Sequence, residues 1–175
     1  GDRDDPRLMR ALDWLANRQI LDHAGDWAAR RPNLRPGGWA FQYANPDYPD
    51  VDDSAVVVMA MHRAGPARYA ENIERGVEWL AGMQSKSGGW GAFDADNEHY
   101  YLNSIPFADH GALLDPPTVD VTARVIGALA QVDGKRFAEN VRRGVAFMRR
   151  HQEPDGSWYG RWGANYLYGT WSALS

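Results

Sequence analysis

The stretch Arg75-Gly76-Val77-Glu78-Trp79-Leu80, followed by Gln84, Gly88 and Trp90, returns later as Arg143-Gly144-Val145-Ala146-Phe147-Met148, followed by Gln152, Gly156 and Trp158. Each copy closes an amphipathic helical pattern and runs into a glycine turn with an aromatic anchor, so the chain is an internal repeat. A degenerate copy reads Arg10, Trp14-Leu15, Gln19, Gly25 and Trp27. In the same register Asp52 falls on Asp120, and Ser54-Ala55 falls on Thr122-Ala123. One unit is then a mostly apolar helix, an amphipathic helix and a glutamine-to-tryptophan turn. A helix apolar nearly all round must be buried on most sides, whereas an amphipathic one covers a surface, which gives inner and outer helices. Pairs of this kind stack into a solenoid or close into a ring, and the expected class is all-α, a segment of an αα-toroid (α/α barrel).

Working outward, Asp5 is an N-cap with Pro6 in the first helical position, and Leu8, Leu12 and Leu15 carry a stripe to about Gln19. Inner helices are expected at 52–63 and 118–131, and outer ones at 69–84 and 137–152. A further inner helix starts at about Thr170. Between them lie loops rich in glycine, proline and aromatics, from Ile20 to Asp50 and from Ser87 to Pro117. Long loops without periodicity are functional or disordered, and their aromatic content argues against disorder. The pattern starts on an outer helix and stops as an inner one begins. Residues 1–175 are accordingly expected to be a single partial αα-barrel domain of a longer protein.

With a formal charge of -4 and scattered basic residues, the chain gives no reason to expect a nucleic-acid partner. It has no cysteine, which excludes a disulfide framework, a thiolate metal site and a cysteine nucleophile. No histidine pair has metal-ligand spacing, so neither metal nor cofactor is expected. The polar first residues do not form a signal peptide, and no apolar run reaches the roughly 18–20 residues of a membrane span, so any membrane contact is expected to be peripheral.

The cluster Asp50-Val51-Asp52-Asp53-Ser54 abuts the apolar run Ala55-Val56-Val57-Val58-Met59-Ala60-Met61. Carboxylates this close disfavour joint ionisation, and partial burial disfavours it further, so one of them can keep a proton near neutral pH and act as an acid. The plainer reading is that Asp52, Asp53 and Ser54 cap the helix at the positive end of its dipole. Asp120, at the equivalent place, reads as an N-cap paired with an arginine. Capping is thus general to the inner helices, and what marks the first copy is its additional carboxylates.

The repeated arginine-glycine, aromatic, glutamine, glycine and tryptophan pattern resembles the QW motif of triterpene cyclases. Asp50-Val51-Asp52-Asp53 is similar to the DxDD acid motif of squalene-hopene cyclases, and the likeness extends over essentially the whole chain. The resemblance implies that Asp52 protonates the terminal double bond of squalene with Asp50 and Asp53 as its partners. Asp115-Pro116-Pro117-Thr118-Val119-Asp120 resembles the family's second acidic segment, and Arg124 stands where some members have histidine. Arg124 and Asp120 would therefore belong to the catalytic group. A fixed cation beside Asp52 strengthens the acid, although arginine cannot pass on a proton. By the same resemblance Phe41, Phe93, Phe107, Trp162 and Tyr168 face the substrate cavity, where ring faces stabilise carbocations. Phe107 and Ala108 match the substrate constriction, and His110 is a candidate at the cavity mouth. Trp90 and Trp158 are assigned to structure. The implied activity is polycyclisation of squalene to hopene- or hopanol-type triterpenes without cofactor. Implied partners are squalene, the rest of a longer two-domain chain, a second copy in a homodimer and, peripherally, the cytoplasmic side of a bacterial membrane. Two other readings stay open: a folded αα fragment that is catalytically incomplete alone, and an αα-toroid glycoside hydrolase, which needs two separate acids.

Overall fold

The computed structural model describes residues 5–98 and 114–175. Its helices are α1 (Pro6–Ala16), α2 (Val51–Ala64), α3 (Ala70–Gly82), α4 (Val119–Asp133), α5 (Ala138–Arg150) and α6 (Asn165–Leu174). A two-stranded antiparallel ladder, β1 (Trp39–Ala40) and β2 (Pro49–Asp50), sets Trp39 opposite Asp50 just before α2 begins. Helix α2 packs on α4 and α4 on α6, while α3 backs α2 and α5 backs α4. The inner and outer layers are therefore those of an αα-toroid segment. Their shared core is Val51, Ala55, Val58 and Met61 of α2, Val77 and Leu80 of α3, and Val121, Val125 and Leu129 of α4.

The repeat is a joint made three times. The glutamine after each outer helix donates to a turn carbonyl: Gln19 Nε2 to Gly37 O at 2.7 Å, Gln84 to Gly88 O at 2.8 Å and Gln152 to Gly156 O at 2.9 Å. The tryptophan that follows donates its indole N–H back to the outer helix, Trp39 to Leu15 O at 2.7 Å, Trp90 to Leu80 O at 2.6 Å and Trp158 to Met148 O at 2.9 Å. Its backbone N–H meets a hydroxyl of the next inner helix, on Ser54, Thr122 and Thr170 respectively. Each turn thus fastens an outer helix to the inner helix after it.

This geometry corrects the first copy. Its tryptophan is Trp39, reached after an insertion between Gln19 and Gly37, and not Trp27. Trp27 lies in a short 3-10 turn (Asp26–Ala29), fully buried and edge-on to Trp79 at 6.0 Å, with its indole N–H unbonded. The glutamines also lie beyond their helices, and two of the three side chains are drawn into a tertiary pair. Gln19 Nε2 reaches Asn72 O at 2.9 Å while Asn72 Nδ2 returns to Gln19 Oε1 at 2.8 Å, and Gln84 pairs in the same way with Asn140. Helix α1 therefore ends at Ala16, short of the expected Gln19. Helix α6 starts at Asn165, earlier than expected, so Tyr166 and Tyr168 are helical rather than in a loop.

The repeated glycine has a packing cause. A Cβ on Gly76 would lie 2.5 Å from Val58 Cγ2, and one on Gly144 would lie 2.5 Å from Ile126 Cγ2, so a side chain there would push outer from inner helix. The arginine before it reaches back to the preceding turn, Arg143 Nη2 meeting Ser85 O at 2.9 Å and Lys86 O at 3.1 Å.

Candidate active site

The first turn of α2 is fixed from three directions. Asp50 is its N-cap, with Oδ1 accepting the Asp53 N–H at 2.8 Å. The Val51 N–H donates to Ala92 O at 2.7 Å, and Ser54 takes the Trp39 N–H. The cap is therefore Asp50 alone, not Asp52, Asp53 and Ser54, which lie inside the helix. Ser54 is committed to the repeat joint, which leaves the carboxylates of Asp52 and Asp53 uncommitted to capping.

Asp52 meets Arg124 of α4, with Nε 2.9 Å from Oδ1. The N–H is not aligned on that oxygen, which makes no hydrogen bond, so the contact is an ion pair. Arg124 also donates through Nη2 to the Tyr168 hydroxyl. Its guanidinium carbon stands 5.8 Å from the Tyr168 ring centre and 5.9 Å from that of Trp171. Asp52, Arg124 and Tyr168 thus come from α2, α4 and α6, three successive inner helices.

Burial raises all three carboxyls of the cluster. Asp50 is pushed up to about 7, by burial first and then by repulsion from Asp53 and Asp52, against the pull of the Asp53 N–H. Asp52 is raised by burial and by repulsion from Asp53 and Asp120, with Arg124 opposing. Asp53 is raised by burial, again with Arg124 opposing. Proton retention near neutral pH, expected from crowding, is owed mainly to desolvation. Tyr168 also rises, through burial and then the Asp52 charge, so its hydroxyl stays protonated.

Asp120 departs from expectation. The N-cap of α4 is Thr118, whose N–H is still held by Trp90 O at 3.0 Å in extended geometry. Asp120 follows inside the helix, buried, and its Oδ2 accepts the Trp162 N–H at 2.9 Å. Arg124 stands beside Asp52, as the resemblance implies.

Three of the expected cavity rings meet in series. Phe41 and Phe93 meet edge-to-face at 5.9 Å, and Phe93 meets Trp162 edge-to-face at 6.2 Å. Phe41 is 63% exposed and Trp162 50%. Tyr168 tilts against Trp171 at 5.7 Å. From Arg124 a groove of about 350 Å³ runs along the inner helices, lined by Val56, Met59, Ala123, Gly127 and Trp171. Phe107, Ala108 and His110 lie outside the described residues. Trp171 falls inside the inner helix expected from about Thr170, but no motif in the sequence marks it as a site residue. Asp115, with three backbone amides on its carboxylate, opens the segment that resembles the family's second acidic segment, but the sequence assigns it no role. Among the described residues no group of acidic or histidine side chains could hold a metal ion.

The model of the squalene-hopene cyclase C-terminal domain matches residues 1–175. The chain belongs to that family. Among squalene-hopene cyclase relatives, it is 61% identical to the probable enzyme of Sinorhizobium fredii, across 96% of this chain and 27% of that protein. It is 57% identical to the squalene-hopene cyclase of Bradyrhizobium diazoefficiens over 99% of this chain and 27% of the relative. Identity to the one of Alicyclobacillus acidocaldarius is 49%, over 98% of this chain and 28% of the relative. The chain thus spans about a quarter of the length of these squalene-hopene cyclases. The fold also matches the type II terpene cyclase MstE from Scytonema, with a TM-score of 0.61 over 95% of this chain and 41% of that one, at 20% identity.

Proposed function

We propose that this chain is the acid-bearing wall of a class II terpene cyclase acting on squalene, with Asp52 as the proton donor. The observation that carries the reading is the partly buried Asp52 carboxyl beside the guanidinium of Arg124, which itself lines a groove with Trp171. In the initiating step the π pair of a terminal alkene takes the Asp52 proton. The O–H electrons stay on the carboxylate, and a tertiary carbocation forms. Burial raises the proton affinity of the carboxyl before transfer, and Arg124 stabilises the carboxylate left afterwards, so the two effects act at different stages. Each ring closure then uses the π electrons of the next double bond. Proton loss or capture of water ends the sequence.

The rings of Phe41, Phe93, Trp162 and Tyr168 offer π faces to the moving cation, each worth ~0.5–2 kcal/mol, and the one oxygen among them, on Tyr168, is engaged by Arg124. Arg124 cannot return a proton to Asp52, so recharging falls to water or to Asp50, the neighbouring carboxyl that holds its proton to about pH 7. The half-exposed rings of Phe41, Trp162 and Trp171 also favour a second statement: by itself the chain is an incomplete wall and turns over no squalene.

The test places this chain in the full-length frame of the Sinorhizobium fredii relative, in exchange for the matching segment, and supplies squalene. Cyclic triterpene is expected from the chimera and none from the chain alone. Asp52→Asn should abolish it, and undiminished product from that variant would refute the assignment.

A further inference from the structure

Asp115 takes no part in the acid turn, yet its buried carboxylate is saturated with backbone donors. Oδ1 accepts the Ala92 N–H at 2.9 Å, and Oδ2 accepts the Phe93 N–H at 2.6 Å and the Asp94 N–H at 2.7 Å. Charge-assisted bonds to successive amides fix the path of a loop more firmly than neutral ones. Gly91 makes the approach possible, since a Cβ there would stand 2.6 Å from Asp115 O and 2.8 Å from its Oδ2.

The loop held in this way has two loaded ends. On one, Ala92 O receives the Val51 N–H at 2.7 Å, in the turn that carries Asp52. On the other, the Phe93 ring stands between Phe41 and Trp162. Asp120, from the same segment, holds the Trp162 backbone in turn. The residues from Asp115 to Asp120 therefore connect the acid turn to two neighbouring rings of the aromatic series.

We infer that Asp115 is a positioning residue for cyclisation, clamping the 92–94 amides so that the Phe93 ring keeps a fixed place relative to the acid turn. The inference rests on the function proposed above. Asp115 contacts neither Asp52 nor Arg124 in this network, so its loss should disturb the later course of the cation more than the first protonation. A ring out of place leaves an intermediate cation less well stabilised, and that cation loses a proton early.

Two measurements test this. In the chain itself, Asp115→Asn should speed amide hydrogen exchange at Ala92, Phe93 and Asp94 by at least about tenfold while leaving Val125 in α4 unchanged. Equal exchange at the three amides would overturn the clamp. In the chimera, Asp115→Asn should raise the share of incompletely cyclised products several-fold with KM for squalene within about twofold, and Asp115→Glu, which keeps an acceptor, should recover part of the parent spectrum. An unaltered product spectrum with merely slower turnover would overturn the positioning role. A parent chimera that cyclises nothing defeats the proposed function and this role together, while the exchange experiment still decides the clamp. If Asp115→Asn does not fold, Gly91→Ala displaces the same loop from the opposite side and is read by the same exchange and product measurements.

Discussion

Replacing Asp50 by asparagine isolates what it takes to keep a carboxyl at the foot of α2. Asp50 is 6% exposed, and its carboxyl is pushed from an ordinary 3.8 to about 7, chiefly by burial. Between those values the folded chain holds a proton that the unfolded chain has released. Stability is therefore full below about pH 4, falls as pH rises through 7, and is level above that. A rise of this size corresponds by linkage to about 4 kcal/mol, and relaxation around the charge brings the expected figure to about 2–4 kcal/mol. Asparagine has nearly the same shape, ranks with aspartate as an N-cap and can still accept the Asp53 N–H, so the substitution removes the charge and little else. Urea unfolding followed by tryptophan fluorescence should find Asp50→Asn more stable than the parent by about 2–4 kcal/mol at pH 8 and within about 1 kcal/mol of it at pH 4. A stability difference that does not change with pH, or a variant less stable at pH 8, would show that the cluster is not desolvated as described.

Arg124→Gln removes the cation beside Asp52 and lets burial raise that carboxyl further, which makes it a weaker acid. With both side chains about a fifth to a quarter exposed, the expected loss in the chimera is about 10- to 100-fold in turnover of squalene, measured with saturating substrate. Trp39→Phe and Trp27→Phe separate the repeat joint from ordinary core. Both truncate a buried indole, but only the first also removes a hydrogen bond, the one to Leu15 O, so it should lower unfolding free energy by about 0.5–1.5 kcal/mol more than the second, whose indole N–H is already unbonded, in the same urea titration.

Residues adjacent along the chain explain why some of this was legible beforehand. The outer helices, the glycine at their middle and the Gln84-to-Trp90 and Gln152-to-Trp158 turns each complete their pattern within a short span, so spacing alone exposes them. The first joint was misread because an insertion separates Gln19 from Trp39, and Trp27 happened to stand near the expected spacing. The end of α1 was placed late for a related reason: Gln19 continues the helical stripe in sequence while its side chain bonds to Gly37 and Asn72. Likewise, capping by Asp52, Asp53 and Ser54 was a fair local reading, but β2 delivers Asp50 to the cap and the repeat joint claims Ser54.

By itself, then, the sequence determined the period of the fold, the alternation of inner and outer helices and the acid cluster at the start of α2, because periodicity and local charge are properties of neighbouring residues. Only the tertiary structure decided how that cluster is used. Burial raises the carboxyls, Arg124 reaches Asp52 from the next inner helix, and Asp115 and Asp120 bind amides of loops distant in the chain. A carboxyl's proton affinity depends on the dielectric and charges around it in space, and those arrive here from segments whose order along the chain does not specify their distance.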